Sequence, residues 1–245
     1  MIDLVTAIRE RQTRVQETIA SSARKGGRAP ESVRLVVVTK TQPVDIVKAA
    51  IEAGAHILGE NYAEEAAEKI AALGPQSGVE WHMIGHVQSR KAQLVAQHFD
   101  MIHSLDSLKL AQRLDHSAAE AGRHLQALLE FNVSGEKSKH GWSAADESKW
   151  AELLTEVNAI AALPNLQIRG LMTMPPLSTD PEDARRFFQK LRRLRDFFSE
   201  RVPQAEWREL SMGTSADFAV AVEEGATLVR VGQAILGPRP TTEGE

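Results

Sequence analysis

The chain has 245 residues, 42% apolar and 25% charged, with a net charge of −4 and no cysteine. That balance suits one large globular domain and excludes a disulfide framework, a thiolate nucleophile and a cysteine-held metal. Both charge signs are interspersed, so no global field draws nucleic acid or an anionic membrane.

Charges break the N-terminus at once (Asp3, Arg9, Glu10, Arg11), so it does not read as a secretory leader. No apolar run is long enough to span a bilayer, and a cytoplasmic protein is expected. The first predicted element is a helix over about residues 2–25, with Leu4, Ile8, Val15 and Ile19 on one stripe. Residues 35–39 follow as the first strand. The run Val33-Arg34-Leu35-Val36-Val37-Val38 reads as a strand buried on both faces, ending on Thr39-Lys40 before the turn Thr41-Gln42-Pro43. Pro43 opens a helix that closes at Gly54.

Strand and helix then alternate. Strands are expected at 56–59, 81–84, 101–104, 126–133, 166–172, 207–210 and 227–231. Helices are expected at 64–73, 89–98 and from Asp106 or Ser107 to Gly122. Further helices are expected from a Ser143 cap to Leu163-Pro164, at 182–200 behind the Asp180-Pro181 cap, and at 216–224. The stretch 174–181 is a loop between strand and helix. Eight strands alternating with helices, after one leading helix, predict an α/β fold, a closed (β/α)₈ TIM barrel in a single domain over 1–245. A doubly wound sheet would carry G-x-G-x-x-G after the first strand, and Thr39-Lys40-Thr41-Gln42-Pro43 is not that turn.

In such a barrel the C-terminal strand ends share one mouth. They carry Lys40, Gly59-Glu60-Asn61-Tyr62, His82 and Gly85-His86, Met172, Ser211-Met212-Gly213-Thr214-Ser215, and Arg230-Val231-Gly232. A partly desolvated Lys40 could act as an amine nucleophile, or it could simply snorkel to water. The 211–215 segment reads as a hydroxyl-rich turn opening a helix. It could hold a phosphate, or Ser215 could be only an N-cap with Asp217 in the first turn. Gly232 lets a second backbone segment approach. Arg230 either faces a ligand atom or forms a structural salt bridge to a neighbouring strand.

These segments together resemble the pyridoxal-phosphate-binding barrels (fold type III), and most closely the pyridoxal phosphate homeostasis protein family. The resemblance also rests on Trp81-His82-Met83-Ile84-Gly85-His86-Val87-Gln88-Ser89-Arg90-Lys91, on residues 132–141 and on Gly170-Leu171-Met172, and it spans nearly the whole chain. It implies pyridoxal 5'-phosphate as cofactor, held by Lys40 as an internal aldimine. Ser211, Gly213, Thr214, Ser215 and Gly232 would form the phosphate cup, and Arg230 would meet the pyridine nitrogen. Asn61 would lie beside the ring and its phenolic oxygen, with His82 and Met172 flanking the ring. Three departures stand out: Thr214 for a usual methionine, Met83 for phenylalanine and Arg90 for asparagine. The first bears on the phosphate cup.

The same resemblance implies a carrier or regulator of the cofactor rather than a catalyst, a monomer or weak dimer that serves apoenzymes needing it. Racemases of this fold take a second acid/base from a β-domain tyrosine. Here the chain ends soon after the eighth strand, and its one tyrosine is Tyr62. The alternatives are a low-activity amino-acid racemase and, more remotely, a Schiff-base aldolase. No metal is expected, because His82 and His86 lie four apart on a strand and turn rather than on a helix. The basic cluster Arg185, Arg186, Lys190, Arg192, Arg193 and Arg195 alternates with Phe187, Leu191, Leu194 and Phe198 and reads as the solvated face of a barrel helix. Lys137 and Lys139 are candidates for steering an incoming phosphate.

Overall fold

The structure, a computed structural model, describes residues 3–76 and 78–238. Ile2, with which the expected first helix opened, lies outside them. Helix α1 (Leu4–Lys25) is capped by Asp3, whose carboxylate accepts from Thr6 N at 3.0 Å. The strands are β1 (Arg34–Val38), β2 (Ile57–Glu60), β3 (Glu80–Met83), β4 (Met101–Leu105), β5 (Leu125–Asn132), β6 (Trp142–Ser143), β7 (Leu166–Met172), β8 (Glu209–Thr214) and β9 (Leu228–Val231). Between and after them lie α2 (Val44–Glu52), α3 (Ala63–Leu73), α4 (Ala92–His98), α5 (Leu108–Glu120), α6 (Trp150–Ala161), α7 (Arg185–Arg201), α8 (Phe218–Glu223) and α9 (Gln233–Leu236).

The order β4-β3-β2-β1-β9-β8-β7-β5 closes through β4–β5, and every pairing is parallel. Eight strands therefore form the expected closed barrel, and β6 is a short appendage on β5. Parallel strands wrapped by helices bury both faces, which is why they read as continuous apolar runs. Inside the barrel lies a small apolar layer of Val36, Ile57, Met101, Leu128, Met172 and Leu228. The larger core fills the space between strands and helices, as with Leu129, Leu171 and Leu210 against Phe188, Leu191 and Leu194. Helix α9 has only four residues, and α1 packs against α2, α8 and α9 to complete the outer ring there.

Most boundaries shift by a residue or two, and a few differ more from the sequence expectation. Ser143 does not cap a helix; it pairs with Asn132 in β6. Asp146 instead accepts from Ser148 N at 3.1 Å, and α6 starts at Trp150. The side chain of Asn132 gathers the Ser134 and Gly135 amides, which curls the chain back onto β5 before the helix can begin. Residues 181–184 form a 3₁₀ turn behind the Asp180 cap, so α7 opens at Arg185. On α7 the buried aromatic is Phe188, while Phe187 lies partly buried with Arg186 over its ring at 4.7 Å. The basic side chains of α7 pair with carboxylates: Arg185 with Glu182, Glu223 and Glu224, and Arg193 with Glu147.

The seventh barrel strand runs later than expected, over Glu209–Thr214 rather than 207–210. Trp207 precedes it, stacked on Phe198 at 5.3 Å and donating its indole N–H to the Val202 carbonyl at 2.9 Å. That buried bond fastens the end of α7 to the start of β8. Trp207→Phe is expected to cost about 1–2 kcal/mol in urea unfolding, from the lost buried hydrogen bond and lost ring area.

Candidate functional site

Side chains alternate in and out along a strand, so two-residue steps beyond the interior layer climb toward the mouth. From Val36 the steps reach Val38 and Lys40; from Ile57, Gly59 and Asn61; from Leu228, Arg230 and Gly232. These three strands are neighbours, with Val37 beside Leu58 and Val36 beside Arg230. Next to them β8 puts Thr214 beside Arg230. One arc of the rim thus holds Lys40, Asn61, Thr214, Ser215, Arg230 and Gly232.

The turn carrying Lys40 is tightly anchored, with Lys40 itself half-buried. Thr41 adopts φ 60°, a left-handed conformation costly for a β-branched residue. Beneath it Lys69, buried on α3, donates to the Thr39 carbonyl at 2.8 Å and reaches Glu60 at 2.7 Å and Glu65 at 2.6 Å. Glu65 accepts from Thr41 N at 2.7 Å, and Thr39 Oγ1 donates to Glu60 at 2.7 Å. Burial raises the Glu60 carboxyl above its ordinary value, against the pull of Lys69.

The Ser211–Ser215 segment is not the simple turn expected. Ser211 through Thr214 belong to β8, with an irregularity in the pairing between them. Gly213 has φ 92°, and a Cβ there would lie 2.6 Å from the Ala221 Cβ; the bulge can turn so sharply only because that position is bare. Asp217, rather than Ser215, closes the segment, accepting from Thr214 N at 2.6 Å and Thr214 Oγ1 at 3.1 Å. Ser215 is exposed. Gly232 backs onto β1: a Cβ would come within 3.1 Å of the Val38 carbonyl, two residues before Lys40.

Arg230 is 4% exposed. It donates to Ser211 Oγ at 2.5 Å and the Thr173 carbonyl at 3.1 Å, and it lies 2.8 Å from Met174 Sδ. Among the described residues no ion pair includes it, so the salt bridge weighed from sequence is not formed. Burial lowers its pKa to about 10, while Glu130 and Asp217 oppose that shift from a distance. Glu130 faces the same interior from β5, across the barrel from β1. Burial, with help from Asp106, raises its carboxyl to about 7, against Arg230 and Lys139.

His82 and Met172 sit deeper than the rim group. Met172 belongs to the interior apolar layer. His82 is fully buried, with one ring nitrogen 2.9 Å from His103 Nε2 and the other 3.1 Å from Glu80. His86 is far from that arrangement, at the rim beside Asp106 at 3.0 Å and stacked on His140 at 4.3 Å. The ligand atoms of these three lie within 4.8 Å of one another, but near-parallel imidazoles 14° apart do not aim their in-plane lone pairs at one centre.

The family model described as alanine racemase, N-terminal domain, matches residues 17–240. The pyridoxal phosphate homeostasis protein of Vibrio alginolyticus is 40% identical over 238 residues, covering 96% of this chain and 99% of that one. The protein of that name from Escherichia coli K12 is 38% identical over 231 residues. This chain belongs to the pyridoxal phosphate homeostasis protein family. Among solved structures, PipY of Synechococcus elongatus without pyridoxal phosphate matches with TM-score 0.83 and 36% identity, covering 94% of this chain and all of that one. The same protein with pyridoxal phosphate bound matches at 0.81 and 35%. Alanine racemase of Streptomyces lavendulae shares the fold, at TM-score 0.72 and 20% identity.

Residues that escape sequence reasoning include His103, Glu130, Met174, Lys69 and Glu80. His103 and Glu130 interrupt apolar strands, and a polar group inside a doubly buried strand is a signal that was available. Met174 looks like a loop residue, and Lys69 like any exposed lysine of an amphipathic helix. Among the described residues no helix is long and apolar enough to cross a membrane.

Proposed function

We propose that this homeostasis-family protein binds pyridoxal 5'-phosphate at the barrel mouth, covalently through the Lys40 amine, and holds it for delivery to apoenzymes rather than for turnover. The observation that carries this reading is the arc made by β1, β9 and β8, three consecutive barrel strands. Its rim positions carry an amine, a fixed cation and a hydroxyl-rich bulge, the three groups the cofactor's aldehyde, ring and phosphate need. Gly213 and Gly232 lie where a Cβ would crowd the neighbouring helix or strand, so both backbone segments can draw close at the rim. The hydroxyls of Thr214 and Ser215 add donors, and Asp217 keeps the bulge in shape. Asn61, at the end of β2, is available to the phenolic oxygen.

When bound, the cofactor supplies an aldehyde for the amine to attack and a conjugated ring that can accept electron density. Arg230 stays charged at neutral pH and disfavours a proton on a pyridine nitrogen beside it. That weakens the ring as an electron sink, which suits storage better than catalysis. The relatives' names as homeostasis proteins support the same choice.

Purified protein given pyridoxal phosphate should develop a visible band, and borohydride should fix the label to the peptide containing Lys40. Lys40→Ala should show neither. A colourless wild type, or label on another lysine, overturns the proposal. A second reading, slow amino-acid racemisation, draws on Glu130, an interior carboxyl across the barrel from β1 with a pKa of about 7. It requires exchange of an amino acid's α-hydrogen with solvent deuterium that Glu130→Gln abolishes.

A further inference from the structure

A line of hydrogen bonds crosses the barrel interior. Arg230 Nη1 donates to Ser211 Oγ at 2.5 Å, and Ser211 Oγ lies 2.8 Å from His103 Nδ1. His103 Nε2 lies 2.9 Å from His82 Nδ1, and His82 Nε2 lies 3.1 Å from Glu80 Oε2. The line joins β9, β8, β4 and β3 and ends at the first residue of β3, on the opposite rim from the proposed cofactor. Ser211, His103 and His82 are fully or almost fully buried, whereas the Glu80 side chain is 51% exposed.

The two ends have fixed roles. A guanidinium can only donate and a carboxylate can only accept. Bonding to His82 pulls the Glu80 carboxyl below its ordinary value, so it is ionised. Burial pushes His103 well below the ordinary histidine value, so it is neutral. With one hydrogen on each link, all point the same way: Arg230 to Ser211, Ser211 to His103, His103 to His82, His82 to Glu80. The tautomers follow, with hydrogen on Nε2 of both imidazoles. Aligned links polarise one another, and a break anywhere frees the Ser211 hydroxyl to turn.

We propose that Glu80, His82 and His103 act as positioning residues for the cofactor ring, through a single polarised chain that orients Ser211 and thereby Arg230. This rests on the pyridoxal phosphate reading above. It assigns His82 a place beneath the ring rather than against its face, and it gives the far rim of the barrel a say in the binding site.

The test uses full-length protein and pyridoxal phosphate carrying ¹⁵N in its ring, read by the nitrogen chemical shift and by equilibrium affinity. His103→Phe keeps a ring in the core but cannot bond, and it should weaken binding about tenfold and move the ring-nitrogen signal. Glu80→Leu, at the half-exposed rim, should move the same signal and weaken binding about threefold. Glu80→Gln retains an oxygen that accepts from His82 and should restore both. A folded His103→Phe with wild-type affinity and an unmoved signal overturns the inference. So does equal behaviour of Glu80→Leu and Glu80→Gln. Wild-type protein that takes up no pyridoxal phosphate overturns the functional reading itself, a failure visible before any variant is made.

Discussion

Lys69→Met is expected to destabilise the protein by about 3–5 kcal/mol, the cost of leaving a buried carboxylate without its cation. Lys69 is the common partner of Glu60 and Glu65 and of the Thr39 carbonyl. Glu60 has no exposed surface, and its Oε2 is already without a hydrogen-bond partner. Once the ammonium is gone, Glu60 must either carry an uncompensated charge or take up a proton against its ordinary preference. Urea unfolding at neutral pH measures the loss. The double variant Lys69→Met/Glu60→Leu should recover most of it, because it removes the stranded charge as well. A single-variant loss below about 1 kcal/mol would mean that the cluster is not what holds the turn. Because the same cluster anchors Thr39 and, through Glu65, Thr41, the destabilised variant should also load pyridoxal phosphate poorly at Lys40.

Glu130 should make stability fall as pH rises. Its ordinary value is 4.5, and in the folded protein burial raises it to about 7. Below the lower value the carboxyl is protonated in both states and contributes no difference. Between the two, the folded state binds more protons than the unfolded one, so folding weakens as pH increases, and above the higher value the full penalty is present. The difference amounts to about 3 kcal/mol. Glu130→Gln titrates at neither pH, so its advantage over wild type should be about 3 kcal/mol larger near pH 8 than near pH 4. Comparing the two proteins' urea midpoints at both pH values checks it. An advantage independent of pH would show that Glu130 is not held as a raised, buried acid. Apo protein is the material to use, since a bound anion near Arg230 would alter the balance.

Much of the architecture can be read from residue order. The eight apolar runs are spaced by amphipathic segments because a parallel strand buried on both faces must be nearly all apolar, and the helix covering it shows a stripe. Lys40 is recognisable because it stands at the end of such a run, where the chain leaves the strand for the mouth. The errors fall where long-range contacts override local preference. Ser143 is a good cap residue, yet it pairs with β5 because Asn132 curls the intervening loop. Trp207-Arg208 looks like a strand start, yet β8 begins at Glu209 and runs on through Gly213, whose φ of 92° makes a bulge of an apparent turn.

The amino-acid order alone determines the barrel and the family, since each depends on spacing along the chain and on the chemistry of single residues. Only the tertiary structure decides what surrounds Arg230. Its partners come from Ser211 and from Thr173 and Met174, on strands or loops distant in sequence, and among the described residues no carboxylate bonds it. Only the tertiary structure joins His103 to His82 and Lys69 to Glu60, or raises Glu130 to about 7. These depend on distance and dehydration, which exist once strands remote in sequence share one closed interior.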